Sequence, residues 1–257
     1  MFINNFDPVA FQVLSIEIRW YSLAYIVGIL IGWILSKKLF ISDQSIKEKF
    51  DDFITYVIVG IIIGGRLGYV LFYNYSYYAD NLLAIFKIWQ GGMSFHGGLI
   101  GVVIASIWFS KKNNHDTFKY FDIISIVAPI GIFFGRISNF INSELYGIET
   151  NVPWAVKFIK VDDLYRHPSQ LYEAFLEGFL LFVILNLLIT KKNYVTGTCA
   201  YMFLIVYGIF RIFSEIFREP DAQIGYLFNL FSMGTILSFA MIIVGLTIFN
   251  ILEKNEK

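Results

Sequence analysis

Three guanidiniums, Arg66, Arg136 and Arg211, stand inside apolar stretches of this chain. An arginine at the centre of a membrane helix costs roughly 2.5 to 3.5 kcal/mol on insertion scales, so each needs a compensating role. Arg136 opens a polar run, Gly135-Arg136-Ile137-Ser138-Asn139-Phe140-Ile141-Asn142-Ser143-Glu144-Leu145-Tyr146-Gly147, at the end of an apolar stretch long enough to enter a bilayer. Arg211 follows Tyr207 by four residues and precedes Glu215 by four, with Arg218 three further on, so all four share one helical face. Arginine ahead of glutamate at this spacing is the weaker order for helix stabilisation, which points to a purpose beyond the helix itself. A guanidinium presents its N–H groups as a fork that matches phosphate oxygens. The chemistry these residues suit is the capture of a phosphate, and a lipid headgroup is the phosphate at hand.

Other reactive types are few. His96 sits in Gly91-Gly92-Met93-Ser94-Phe95-His96-Gly97-Gly98, where the glycines let a ligand or a second backbone approach an imidazole able to act as a base near neutral pH. His115 lies in a lysine-rich loop and reads as solvated. His167 precedes Pro168 in His167-Pro168-Ser169-Gln170-Leu171-Tyr172-Glu173, which has the ordinary features of a helix start. Three separated histidines without matching carboxylate spacing give no metal-binding pattern, and no cofactor or metal is expected. The single cysteine, Cys199, lies in an apolar run and reads as a packing residue. Ser-His-Asp order, nucleotide loops and zincin patterns are absent, so the nucleophile is expected to arrive with a substrate.

These residues need helices that cross a membrane. The chain is 57% hydrophobic and 16% charged, a composition unsuited to a water-soluble surface, and its zero formal net charge gives no support to nucleic acid as a partner. Apolar stretches near the roughly 20 residues that span a hydrocarbon core lie at 20–36, 53–73, 94–110, 122–140, 170–189, 197–213 and 232–252. They predict an all-α integral membrane protein of seven helices in one polytopic domain, with Pro129 interrupting the fourth. Lys37, Lys38, Lys47, Lys49, Lys111, Lys112, Lys119, Lys191, Lys192, Lys254 and Lys257 fall on alternate connections and the tail, which puts that side in the cytoplasm and the N-terminus outside. Met1 to Gln12 lacks the positive stretch and apolar core of a cleavable signal peptide. Residues 143–169 then form a small external head, and the segments Phe6–Trp20 and Asn74–Gln90 lie along the interface as arms. Arg66, Arg136 and Arg211 fall in the outer halves of separate helices, as they would around one outward-opening polar cavity. Glycines at Gly28/Gly32, Gly60/Gly64/Gly68, Gly97/Gly101 and Gly131/Gly135 have the spacing that lets helix backbones touch, so the first four helices are expected to pack closely.

The run from Gly135 to Gly147 resembles the signature of the bacterial prolipoprotein diacylglyceryl transferases, with the arginine, Asn139-Phe140, Asn142, Glu144 and the closing Gly147 in register. Gly64-Gly65-Arg66-Leu67-Gly68-Tyr69, Gly91–Gly98, His167–Glu173 and the stretch from Arg211 to Arg218-Glu219-Pro220-Asp221 resemble its other blocks, and matches extend from Trp20-Tyr21 to about Gly234. Ser138 stands where many members have glycine. The resemblance implies transfer of diacylglyceryl from phosphatidylglycerol to the lipobox cysteine thiol of a prolipoprotein signal peptide. The products are a thioether and glycerol 1-phosphate, and the step is the first of bacterial lipoprotein maturation. An enzyme of the cytoplasmic (inner) membrane with its site toward the outer leaflet is expected, and a monomer, although the sequence itself leaves oligomeric state open. By position the resemblance assigns Arg136, Asn139 and Gly147 to phosphatidylglycerol, and Tyr21, His96, Glu144, Tyr207, Arg211 and Glu215 to catalysis.

The expected reaction is displacement at the glycerol carbon that carries the phosphate ester. Arg136 and Arg211 would stabilise charge on the departing phosphate, and Asn139 and Tyr207 would orient phosphate or hydroxyls. His96 is the first candidate for the base that deprotonates the thiol, with Glu144 or Glu215 as rivals. An anion transporter or lipid flippase is the alternative, since arginine-lined cavities also mark anion pathways, and a structural scaffold comes third.

Overall fold

The computed structural model describes residues 1–191, 194–220, 226–227 and 231–255. Its helices are α1 (Trp20–Leu35), α2 (Gln44–Phe72), the short α3 (Tyr75–Asp80), α4 (Phe95–Lys112), α5 (Thr117–Asn142), α6 (Ser169–Glu173), α7 (Leu181–Ile189), α8 (Thr198–Glu215) and α9 (Met233–Asn255). A π-helical stretch, Ala174–Leu180, joins α6 to α7, and another, Ser36–Phe40, extends α1. Six of the described helical spans are long and apolar enough to cross a membrane: 20–40, 44–72, 117–142, 169–189, 198–215 and 233–254. The sequence expectation of seven includes 94–110, which is α4. Its 18 residues carry His96 at one end and Lys111-Lys112 at the other, so it is less apolar than the rest. Pro129 lies inside α5, which runs on through it.

The chain forms two compact units, one of Met1–Phe40 with Asp122–Lys257 and the other of Ile41–Phe121. In the first, α1 meets α5 where a Cβ on Gly28 would stand 2.9 Å from the Gly131 Cα, a contact only glycine permits. Ile126, Leu181, Leu185 and Cys199 form a fully buried core cluster, so Cys199 has the packing role read from its sequence. Asp122 fastens the start of α8 by accepting from the Gly197 and Ala200 amides at 2.5 and 2.8 Å. In the second unit, α2 and α4 touch backbone to backbone along Gly60, Gly64, Gly97 and Gly101. The predicted glycine packing is thus two separate seams, each within one unit. The outward faces of these helices are rows of exposed Ile, Leu, Val and Phe, as a lipid-facing surface requires.

Short strands complete the first unit. β1 (Phe2–Asn4) pairs in parallel with β4 (Val156–Phe158), which pairs antiparallel with β5 (Tyr165–Arg166). The N-terminus therefore builds the 143–169 connection, a partnership the sequence did not announce. β2 (Val9–Val13) and β3 (Ile16–Arg19) make a hairpin within the expected arm, with Leu14 at its tip 97% exposed. β6 (Tyr226–Leu227) pairs with β7 (Phe231–Ser232). Lys192, Lys257 and Asp221 lie outside the described residues.

In the 143–169 connection Arg166 donates from Nη2 to Asp162 at 2.6 Å. That bond holds the Asp162 carboxyl below its ordinary value of 3.8. Because the folded value is the lower one, the pair stabilises the fold above 3.8, and its contribution is lost as pH falls through the folded value. Trp154 fluorescence, followed down from pH 5, is expected to report loosening below about pH 4. Asp162→Asn should lack that transition.

Candidate active site

The centre of the first unit is a network of buried ion pairs. Arg136 on α5 reaches Glu173 through Nη1 at 2.9 Å and Glu177 through Nη2 at 3.3 Å. Arg211 on α8 donates through Nη1 to the same two carboxylates, at 2.5 and 3.4 Å, and through Nη2 to Glu215. Arg218 joins Glu215 at 3.5 Å, and the second Glu215 oxygen accepts from Ser232 at 2.5 Å. The Glu173 and Glu177 side chains are fully buried, whereas Arg211 is 8% and Arg136 16% exposed. Three guanidiniums thus face three carboxylates, so the group is balanced in charge and held from both sides. Arg136 is its most accessible member. Breaking such a pair by deleting one partner leaves an uncompensated charge in an apolar surround.

Local structure explains the convergence. Tyr207, Arg211 and Glu215 share the α8 face by their four-residue spacing. Glu173 ends α6 and Glu177 lies in the π-helical stretch, where the wider turn departs from α register, as is frequent at functional sites. Gly178 lets this stretch press on α5, since a Cβ there would lie 2.6 Å from that of Phe133. Tyr207 is close enough to Arg136, Arg211, Glu173 and Glu177 to feel each charge. Tyr21 stacks edge-on against Tyr25 with centroids 5.1 Å apart.

One turn along α5 from Arg136, Asn139 donates to Glu144 Oε2 at 3.2 Å, and Asn142 donates to Oε1 at 3.5 Å. Gln170 donates to the Glu144 carbonyl at 2.6 Å. Ser143 and Leu145 have positive φ of 59° and 53°, so the chain turns sharply on both sides of Glu144 and leaves that carboxylate exposed. Gly147 then passes between two backbones: its N–H donates to the His167 carbonyl at 3.0 Å, and the next amide, Ile148, donates to Phe217 at 3.0 Å. A Cβ on Gly147 would meet both carbonyls and the His167 Cβ. Gly147→Ala is expected to cost about 1 to 3 kcal/mol as an overpacking defect, read as a lower unfolding midpoint.

The second unit carries the remaining sequence candidates. Arg66 donates to the carbonyls of Ile85, Gly91, Gly92, Ala84 and Lys87, which engages every N–H of its guanidinium. This corrects the expectation that it lines a ligand cavity with Arg136 and Arg211: it clamps the 84–92 connection onto α2. His96, near the start of α4, is exposed and lies edge-on to Phe95. The structure therefore gathers Arg136, Arg211 and Glu215, with Tyr207 on the same α8 face, leaves Tyr21 against Tyr25 on α1, sets Asn139, Glu144 and Gly147 on the following turn and loop, and carries His96 on the other unit. Sequence reasoning missed Glu173 and Glu177. Two acids four apart inside the predicted apolar run 170–189 were the available signal. Among the described residues no cluster of His, Cys, Asp or Glu could hold a metal.

The family model for prolipoprotein diacylglyceryl transferase matches residues 8–251, nearly the whole chain. The chain belongs to the prolipoprotein diacylglyceryl transferase family. Among its similar relatives is the phosphatidylglycerol–prolipoprotein diacylglyceryl transferase of Rickettsia bellii (strain OSU 85-389), 49% identical over 246 residues that cover 94% of each chain. The protein of the same name from Rickettsia felis is 49% identical over 247 residues, 94% of this chain and 95% of its own. That of Brucella anthropi is 47% identical over 253 residues, 94% of this chain and 90% of its own. The buried arginine network thus lies within the stretch that the diacylglyceryl transferase family model matches, and the family resemblance read from Gly135–Gly147 is borne out.

Proposed function

We propose that this chain transfers the diacylglyceryl group of phosphatidylglycerol to the cysteine thiol of a prolipoprotein lipobox, the first step of lipoprotein maturation. The observation that carries this is the Arg136–Arg211 pair, held by Glu173 and Glu177 within an apolar helical body. A sulfur–carbon bond forms at the glycerol carbon, the carbon–oxygen bond to phosphate breaks, and the electron pair leaves with glycerol phosphate as its charge grows. Arg136, the most accessible guanidinium, holds the phosphate through its open edge, with Asn139 beside it. Arg211 supplies the second positive charge. Both are fixed by carboxylates before the lipid arrives, so little reorganisation is needed when charge develops. Tyr21 and Tyr207 orient the headgroup, and Gly147 shapes the loop that carries Glu144.

The thiol proton goes to His96, whose imidazole is exposed and offers a ring nitrogen to accept it. Glu215 is the weaker rival because Arg211, Arg218 and Ser232 occupy both its oxygens. Glu144 is the stronger one. His96→Gln is expected to slow thioether formation at least about 100-fold, measured on lipobox peptide. A near-normal rate would move the role to Glu144.

The lysines on alternate connections support a bacterial cytoplasmic-membrane enzyme with its site toward the outer leaflet and residues 143–169 as an outer head. In the same proposal the chain is one polytopic domain and works as a monomer. The transport alternative gives way to the family assignment. Purified protein given phosphatidylglycerol labelled in its acyl chains and a lipobox peptide should yield labelled peptide and free glycerol phosphate. Labelled lipid that only changes leaflet would restore the transport reading.

A further inference from the structure

A second polar site lies in the Ile41–Phe121 unit, at the lysine-bearing ends of α2 and α4. An open, solvent-facing depression of about 500 Å³ lies there, lined in part by the exposed Lys49, Asp52 and Lys112 with the half-buried Tyr56 and Asn113. It is at the far end of α2 from Arg66: the 14 residues from Asp52 to Arg66 rise about 21 Å. The two helices run antiparallel, Gly60 against Gly101 and Gly64 against Gly97, so the start of α2 meets the end of α4.

The lining is matched to an anion. Lys49 donates to Asn113 Oδ1 at 2.8 Å, and Lys112 donates to Tyr56 OH at 2.8 Å. Each ammonium is thereby oriented by a neutral oxygen, and among the described residues neither lies in an ion pair. Two ammoniums and the Asp52 carboxylate leave the cavity one net positive charge, which suits a phosphodiester monoanion. Trp108, 63% exposed, stands beside Tyr56 with ring centroids 5.7 Å apart, the aromatic pairing found at the headgroup level of membranes. The α2–α4 glycine seam holds both walls together.

We propose that this cavity seats the phosphate of an anionic phospholipid of the leaflet on the lysine-rich side, a site separate from the substrate arginines. Basic pockets between membrane helices bind such headgroups on general electrostatic grounds.

Native mass spectrometry of protein taken from phosphatidylglycerol/phosphatidylcholine vesicles tests this. Lys49→Gln/Lys112→Gln is expected to retain one phosphatidylglycerol fewer than wild type, Lys49→Arg/Lys112→Arg to retain it, and both to transfer diacylglyceryl within about twofold of wild type. An unchanged count in the glutamine variant, or phosphatidylcholine retained equally well, overturns the proposal. Displacement of the lipid by inorganic phosphate alone also overturns it, by making the ligand a soluble phosphate species. Should the double variant not fold, Lys49→Gln alone decides, since among the described residues its ammonium makes a single hydrogen bond, to Asn113 at the end of α4. Loss of transfer in wild type, with lipid still retained, would count against the proposed reaction and not against this site.

Discussion

Arg211→Ala is expected to be the most damaging single substitution in the membrane body. Arg211 touches three of the network's carboxylates, Glu173, Glu177 and Glu215, two of them fully buried. Its removal leaves three negative charges facing Arg136 and Arg218 alone. Stranding a buried charge in this way costs about 3 to 5 kcal/mol, a large part of a typical stability. Thermal unfolding in detergent should show a markedly lower midpoint, and transfer should be lost with it. Arg211→Ala/Glu215→Ala should lose less than the sum of its singles, because the second change removes one of the stranded charges. Additive losses would mean that the pairing does not couple the two positions.

Arg136→Ala should separate activity from stability. Arg136 is the more exposed of the two central guanidiniums, at 16% against 8%, and it contacts two carboxylates where Arg211 contacts three. Removing a preorganised donor to developing charge costs about 10² to 10³ in rate, so kcat is expected to fall by that factor with a smaller loss of stability than Arg211→Ala. Arg136→Lys should not restore the rate. A lysine ammonium cannot span Glu173, Glu177 and a phosphate with the planar fork that arginine provides. Rescue by lysine would show that only charge is required at this position.

The face on α8 was legible because four-residue spacing puts Tyr207, Arg211 and Glu215 in line wherever the helix packs. Arg136 was legible because a guanidinium in an apolar run must be compensated. Its compensators were not, since Glu173 and Glu177 lie about forty residues away, and the π-helical stretch that presents Glu177 has no periodic signature. Arg66 shows the converse. Its burial was foreseen, but its partners are main-chain carbonyls, which every sequence possesses and none advertises. The pairing of Phe2–Asn4 with Val156–Phe158 was hidden for a similar reason, because three-residue strands carry too little alternation to be seen.

The central claim is that the Arg136–Arg211 pair holds the phosphate of phosphatidylglycerol. The most direct measurement is the affinity of wild type and Arg136→Ala for phosphatidylglycerol in phosphatidylcholine nanodiscs, with unfolding midpoints recorded on the same samples. The account predicts at least about a tenfold weaker affinity for a folded variant, the equivalent of one lost charge-assisted contact. An Arg136→Ala protein that is folded and binds phosphatidylglycerol as tightly as wild type would contradict it.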